Sequence, residues 1–515
     1  MVIRESGGLN VLMATAFYPR GGSGQVVRYL ARALTARGHN VLIVAGSLKG
    51  ADPTCDAEKF YDGLSLVEVD YTKAAGGFTA GLNPMSGRFD VPFPPSYEDK
   101  PDAPDRVFYR VSRTEMRHLI ACWTDVLSKT TRQFQPDVAH LHHLNHVHLA
   151  AIGLSSMQRL PKLAHLHGTE LKMLQKMNHL TVSDHGEIRL WDEALRKAAA
   201  GMQHFVVISP DNVERSKQVL ALDAAQLSFI PNGVDLELFR RRNLARQRKM
   251  SLLEKLLVKS PRGWDESGVV GSIQYARSHL ETFLDGSDDF KPVLMFAGRF
   301  LRFKRLPLLL SCVARANCFF REKGHTIPPF NLLVCGGVPG EWEGEHPYTT
   351  TRRLGLTNVF FTGWLPHEEL ADVFNIADVF VAPSEKEPFG LVFLEAMASG
   401  APVIASRSGG PLSFVVEDGD KANGWFCEEN DSVSLTRVII ESISNQAERR
   451  RRGRNARETV VTDYGWSRIA KRFEEVYQRM TRRLVPPRPV FKQNPALRQR
   501  ASADQPGALP SGWPK

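Results

Sequence analysis

Cysteine is scarce and scattered. The six residues, at positions 55, 122, 312, 318, 335 and 427, form no CxxC pair and no Cys/His set with metal-ligand spacing, which excludes a disulfide framework and argues against a zinc centre. A reducing, cytoplasmic setting fits that usage. Long apolar runs are missing as well. No stretch approaches the roughly 20 residues of a spanning helix, and the first apolar run, residues 11–14, follows Arg4 and Glu5 and falls far short of a signal-peptide core. A soluble chain is expected, with surface attachment to a membrane left open. Charge of one sign is weak once the tail is set aside: of the formal net charge of +10, residues 482–515 carry seven basic residues and one acid, which leaves +4 for the remainder. So even a body gives little support to a nucleic-acid partner. What remains is length and ordinary composition. The 515 residues, 43% apolar and 24% charged, suffice for about two to four domains with real cores.

Short apolar runs alternate with segments of helical period, the pattern of βα units around parallel sheets. Strands are expected at 9–14, 41–45, 138–141, 163–166, 205–208 and 227–230, then again at 293–297, 332–335, 359–362, 379–382 and 403–405. This divides the chain into an α/β domain over 1–239, a charged and Gly/Ser-spotted linker or insertion over 240–290, and a second α/β domain over 291–465. A helix follows over 466–485, where Ile469, Phe473, Val476 and Tyr477 recur at helical spacing, and then a basic tail over 486–515 too polar to order itself. Residues 73–106, rich in Pro, Gly and Asp, read as a long functional or mobile loop. The arginines at 449, 450, 451, 452, 454 and 457 read as a solvated helix face or a surface drawn to anionic headgroups, since no aromatics interleave them.

Three loops at strand ends carry candidate chemistry. Gly21-Gly22-Ser23-Gly24 joins the first strand to the first helix, where unpaired N–H groups can receive an anion, although an ordinary glycine turn explains the same residues. Gly298-Arg299-Phe300-Leu301-Arg302-Phe303-Lys304 follows the first strand of the second domain. There Arg299 and Lys304 can clamp a diphosphate, while Arg302 and Arg305 read as solvated. Most informative is the stretch from Glu387 to Glu395. Pro388 and Gly390 hold Glu387 in a loop and residues 391–399 read as a helix carrying Glu395, so one segment can offer carboxylates to sugar hydroxyls and N–H groups to phosphate.

Arg299 and Lys304 in a GRx4K pattern, followed by Glu387 and Glu395 in an Ex7E pattern, resemble the donor half of the retaining GT-B glycosyltransferases of family four, the glycogen-synthase-like and sucrose-synthase-like group. The resemblance covers nearly the whole chain. It implies an α/β GT-B fold: two facing Rossmann-like domains, the first for acceptor and the second for donor, with a C-terminal helix crossing back to the first. It further implies a nucleotide-sugar donor, commonly a UDP- or GDP-sugar, with Arg299 and Lys304 on the diphosphate, Glu387 on the transferred sugar and Glu395 on the ribose. Gly22, Gly24, Phe389, Gly390 and Leu391 complete the implied donor contacts. Lys304 is followed by Arg305 where many relatives have Gly.

The first half also holds a dense histidine group, His140, His142, His143, His146 and His148, then His165 and His167. Singly each reads as structural, and alternation along a strand would turn some to opposite faces, so a metal site is the lesser reading. His167 is the exception, because it matches the family's active-centre histidine. Glu170 beside it is a candidate acceptor contact. The expected activity is thus metal-independent, cofactor-free retaining hexosyl transfer from a nucleotide sugar to a hydroxyl of a soluble small-molecule or glycan acceptor, with no nucleic-acid partner and no oligomeric state implied. The alternatives are a trehalose- or sucrose-type synthase or phosphorylase, and a non-catalytic nucleotide-sugar-binding protein.

Overall fold

The computed structural model describes residues 8–484, apart from 20, 51, 53, 99–102, 181–186 and 288, with residues 483 and 484 described as backbone alone. The expected basic tail over 486–515 lies outside the described residues. The first sheet comprises β1 (Asn10–Thr15), β2 (Asn40–Ser47), β3 (Ser65–Asp70), β4 (Val138–His142), β5 (Lys162–Leu166), β6 (His204–Val207) and β7 (Leu227–Phe229), in the order β3-β2-β1-β4-β5-β6-β7. The second comprises β8 (Val293–Gly298), β9 (Asn331–Gly336), β10 (Val359–Gly363), β11 (Val379–Ala382), β12 (Val403–Ser406) and β13 (Gly424–Cys427), in the order β10-β9-β8-β11-β12-β13. Strand pairing is parallel in both. Helices cover both faces, which is why β1 is buried along all six residues. Strand order reverses between β1 and β4 and between β8 and β11, and such switch points leave a crevice at the strands' carboxyl ends. Every candidate loop leaves from one of these ends.

Sequence reading missed two strands. β3, Ser-Leu-Val-Glu-Val-Asp, is a half-exposed edge with its apolar residues diluted by acids. β13 is only four residues, Gly-Trp-Phe-Cys, behind a turn. Two segments without strands turn out to be packed. Within 240–290, the helix Arg246–Glu254 and the turns after it place Leu253, Leu257, Trp264 and Phe283 in the same core as β8 to β10, and the Tyr275 hydroxyl accepts the Phe361 N–H at 3.0 Å along the outer edge of β10. Within 73–106, Met85, Phe93 and Tyr97 are buried in the first domain's core, and Tyr97 donates its hydroxyl to the Leu144 carbonyl at 3.0 Å.

The closing helix, Trp466–Leu484, crosses back onto the first domain. Trp466, Ile469, Phe473 and Tyr477 share a core with Val11 and Leu30, and the Val234 N–H donates to the Tyr464 carbonyl at 2.8 Å where the two connections meet.

The arginine cluster requires correction. Its residues lie on the helix Gln446–Asp463; Arg450 and Arg454 are exposed there, but the other four bond main-chain carbonyls. Arg449 donates to the carbonyls of Ser442 and Ile443 at 2.8 and 2.6 Å, in the last turn of the helix Ser432–Ser444. Arg457 donates to the carbonyl of Ala398, the last residue of the helix Leu391–Ala398. Arg452 donates to the Glu417 carbonyl at 2.8 Å and to that of Gly424, and stacks over Trp425 at 4.5 Å; Arg451 donates to the Gly419 and Asp420 carbonyls. Helix ends present carbonyls without intrahelical partners and the negative end of the macrodipole, and guanidinium groups satisfy both.

Candidate functional site

The cation loop leaves β8 and ends in a short turn, Arg302–Lys304. Arg305 then takes a left-handed conformation, φ 53°, as it opens the helix Leu306–Glu322. That conformation is the one glycine adopts at no cost. The Arg305 guanidinium is paired with Glu385, so it is no solvated cation and ties the cation loop to the loop carrying Glu387. Lys304 makes the second tie, with Nζ 2.6 Å from Glu387 Oε2 and both side chains mostly buried. Burial alone would raise the Glu387 carboxyl, yet Lys304, with Lys172 behind it, holds it below the usual carboxylate range. Arg299 is looser: its side chain is 40% exposed and lies 3.7 Å from Glu341.

Two glycines that the sequence reading overlooked shape the Glu387 loop. Gly410 donates its N–H to the Glu387 carbonyl at 2.7 Å, and Gly409, at φ 66°, lies so close that a Cβ there would come within 2.3 Å of that oxygen. The signal was a Gly-Gly pair with two residues between it and the end of a strand. Gly390, at φ 91°, caps the helix Leu391–Ala398, whose first N–H groups are thus turned toward the loop. The Phe389 ring is buried against Phe414, which leaves its main chain for any ligand contact. Glu395 sits one turn along, in a small cavity with Gln25, Tyr29, Leu391 and Trp466, where the two domains and the crossing helix meet. Burial pushes its carboxyl up to about 8. Gly22 faces the same junction, since a Cβ there would lie 3.5 Å from the Leu391 side chain. Gly24 instead packs against Pro19 and Phe60, a packing reason for glycine.

In the first domain the histidines do not divide between faces. Positions 140 and 142 on β4, and 165 on β5 with 167 just past its end, are each two apart and so share one face. Their rings form a buried stack: His140 Nε2 and His165 Nδ1 are 3.1 Å apart, His142 Nδ1 and His167 Nε2 are 3.1 Å apart, and His140 Nδ1 bonds the Tyr477 hydroxyl at 2.6 Å. Burial lowers His140 to about 3 and holds His142, His165 and His167 well below their ordinary value, so the stack is neutral. The nitrogens of His140, His142 and His165 come within 4.8 Å of one another. However, the rings of His140 and His142 are 4.3 Å apart and 13° from parallel, so their in-plane lone pairs run side by side and do not converge on an ion. Glu170, fully buried, accepts the His167 main-chain N–H at 2.6 Å and lies 3.2 Å from His143 Nδ1. It holds His167 in place from below.

One further residue joins the halves. Lys172, on the helix Thr169–Met177 that follows His167, donates to the Lys386 carbonyl at 2.9 Å and lies 5.5 Å above the Phe303 ring. Sequence reading passed over it because nothing in its spacing marks it. The structure thus brings Lys304, Glu387, the Gly390 helix start and the His167 helix to one crevice, with Glu395 at the domain junction, while the half-exposed Arg299 side chain turns to Glu341. A crevice with cations, an ionised buried acid and helix N–H groups suits a ligand that is part phosphate and part polyol.

Comparison with known proteins bears on the same two halves. Residues 20–238 match the family described as Glycosyltransferase Family 4, and residues 283–459 match the Glycosyl transferases group 1 family. Glycogen synthase from Mycobacterium tuberculosis is 24% identical over 486 residues, covering 91% of this chain and 94% of that protein. Among solved structures, sucrose-phosphate synthase from Thermosynechococcus elongatus aligns with a TM-score of 0.61 at 20% identity, over 92% of this chain and 100% of the other. HepE from Anabaena, solved with UDP and glucose, aligns with a TM-score of 0.60 at 16% identity over the same shares. Both sheets, the crossing helix and both family matches agree, and the chain belongs to the GT-B glycosyltransferases of the family-four type.

Proposed function

We propose that the protein is a retaining hexosyltransferase that moves a sugar from a nucleotide diphosphate donor, UDP- or GDP-linked, to a hydroxyl of a soluble small-molecule or glycan acceptor. The observation that carries the reading is the Lys304–Glu387 pair set against the first turn of the Leu391–Ala398 helix. The cation and helix N–H groups meet a diphosphate, and the carboxylate meets the hydroxyls of the sugar attached to it. Negative charge grows on the departing diphosphate in the transition state, where Arg299 and Lys304 stabilise it. The departing oxygen takes the acceptor's proton as the acceptor attacks from the same face. His167 orients the sugar, Glu170 positions His167 from within the first domain, Glu395 holds the ribose, and Phe389, Gly390 and Leu391 offer main-chain contacts, with Gly22 closing over them. HepE was solved with UDP and glucose, which supports a nucleotide-sugar donor for a chain of this fold. No cofactor or metal enters the scheme, because two cations and a helix start already meet the charge. The test is a screen of UDP-, GDP- and ADP-sugars, following nucleotide release with and without EDTA. Release that depends on an acceptor and survives EDTA is expected; release that needs added magnesium or manganese would refute metal independence.

A further inference from the structure

Phe300, directly after Arg299 in the cation loop, points away from solvent at 4% exposure into an aromatic box that the two sheets alone would not supply. One wall is Trp264 from the 240–290 segment, whose ring stacks on Phe300 with centroids 5.4 Å apart and planes 26° from parallel. His346 closes the corner, 4.8 Å from Trp264 and 5.8 Å from Phe300. On another side Gly337 approaches so closely that a Cβ there would lie 2.6 Å from the Phe300 ring. The main chain is clamped as well: the Glu343 N–H donates to the Phe300 carbonyl at 2.9 Å, and the Glu343 carboxylate accepts the Arg302 N–H at 2.7 Å. Trp264 is itself held firmly, because Gly263 accepts the N–H groups of Gly271 and Ile273 at 2.9 and 3.2 Å, closing residues 263–273 into a loop.

We propose that the 240–290 segment braces the cation loop through Trp264, making Trp264 a positioning residue for the donor diphosphate. The inference rests on the donor-site reading above. Arg299 is adjacent to Phe300 and Lys304 is four residues on, and both are long side chains whose aim is set by where the loop's main chain is fixed. Phe300 is the fixed point, and Trp264 is the ring stacked on it. Removing the indole opens space behind Phe300, lets the loop relax, and shifts both cations by a fraction of their hydrogen-bonding range, a misplacement of the kind that costs about 10- to 100-fold.

The test uses the full chain, titrated calorimetrically with UDP, GDP, ADP and inorganic pyrophosphate at a temperature well below every variant's melting midpoint. Trp264→Leu is expected to weaken binding of the preferred nucleotide and of pyrophosphate about tenfold or more and to raise donor KM, with acceptor KM unchanged. Trp264→Phe keeps a ring but loses the second ring of the indole, so an intermediate loss of about threefold is expected, and it carries the test if the leucine variant does not fold. Phe283→Leu is the control. Phe283 is fully buried in the same segment but packs on Phe360 at 4.7 Å, and its loss should lower the melting midpoint without changing nucleotide affinity. Unchanged affinity in the Trp264 variants, or equal loss in Phe283→Leu, would overturn the brace. A wild-type chain that binds none of the four probes would instead overturn the donor-site reading, and the brace with it.

Discussion

At the Lys304–Glu387 pair the proposed chemistry and the stability of the fold meet in one contact. Glu387→Gln keeps the shape and removes the charge, so transfer should fall at least about 100-fold with the melting midpoint little changed. Lys304→Ala should also abolish transfer, but it leaves Glu387 buried without its cation, and breaking such a pair costs about 3–5 kcal/mol. Differential scanning calorimetry on both variants separates the effects; a Lys304→Ala chain as stable as wild type would show that Glu387 is not buried as an ion. Glu395 gives a second prediction. Its folded value of about 8 lies above the ordinary carboxyl value, so its contribution to stability is fullest below about pH 4 and is lost as pH rises toward 8. Glu395→Gln should therefore raise the melting midpoint more at pH 8 than at pH 5, and equal shifts at both would refute the assignment. The candidate-site residues Lys304 and Glu387, which the structure brings together, were legible because each sits in a motif of local spacing. Lys172, Gly409 and Gly410 were not, because each acts on residues distant in sequence, Lys172 across the domain boundary.

At the level of elements, strands with continuous apolar runs were readable and β3 and β13 were not, since an edge position and a four-residue length both weaken the signal. The arginine-rich helix Gln446–Asp463 misleads most, because composition cannot say that a charge faces main-chain carbonyls and not water. Arg452 is the sharpest case, with two carbonyl partners, a Glu448 contact at 2.7 Å and the Trp425 ring beneath it. Arg452→Met should cost about 2–4 kcal/mol, as several buried acceptors lose a charged donor at once. Arg450→Met, two residues earlier on the same helix and exposed, should cost less than about 0.5 kcal/mol. Chemical denaturation of the two variants decides it, and equal, small losses would restore the solvated-face reading.

For the whole molecule, the buried histidines set the acid limit. His140, His142, His146, His148, His165 and His167 all have folded values depressed by burial. Unfolded, each takes up a proton below about pH 6.5, so stability is lost as pH falls, by about 1.4 kcal/mol per unit for each such ring. Glu395 opposes this as a single group and is outweighed. The melting midpoint should drop steeply between pH 6.5 and 5, and a flat profile there would show that the rings titrate while folded. The crossing helix carries a consequence of another kind. Because Phe473 and Tyr477 complete the core that Val11 and Leu30 begin, the first domain is not finished when its own strands are made. On the ribosome it must wait, with an apolar face uncovered, until more than two hundred further residues have been synthesised. The second domain, emerging meanwhile, needs no such partner, so the half made first is the half that settles last.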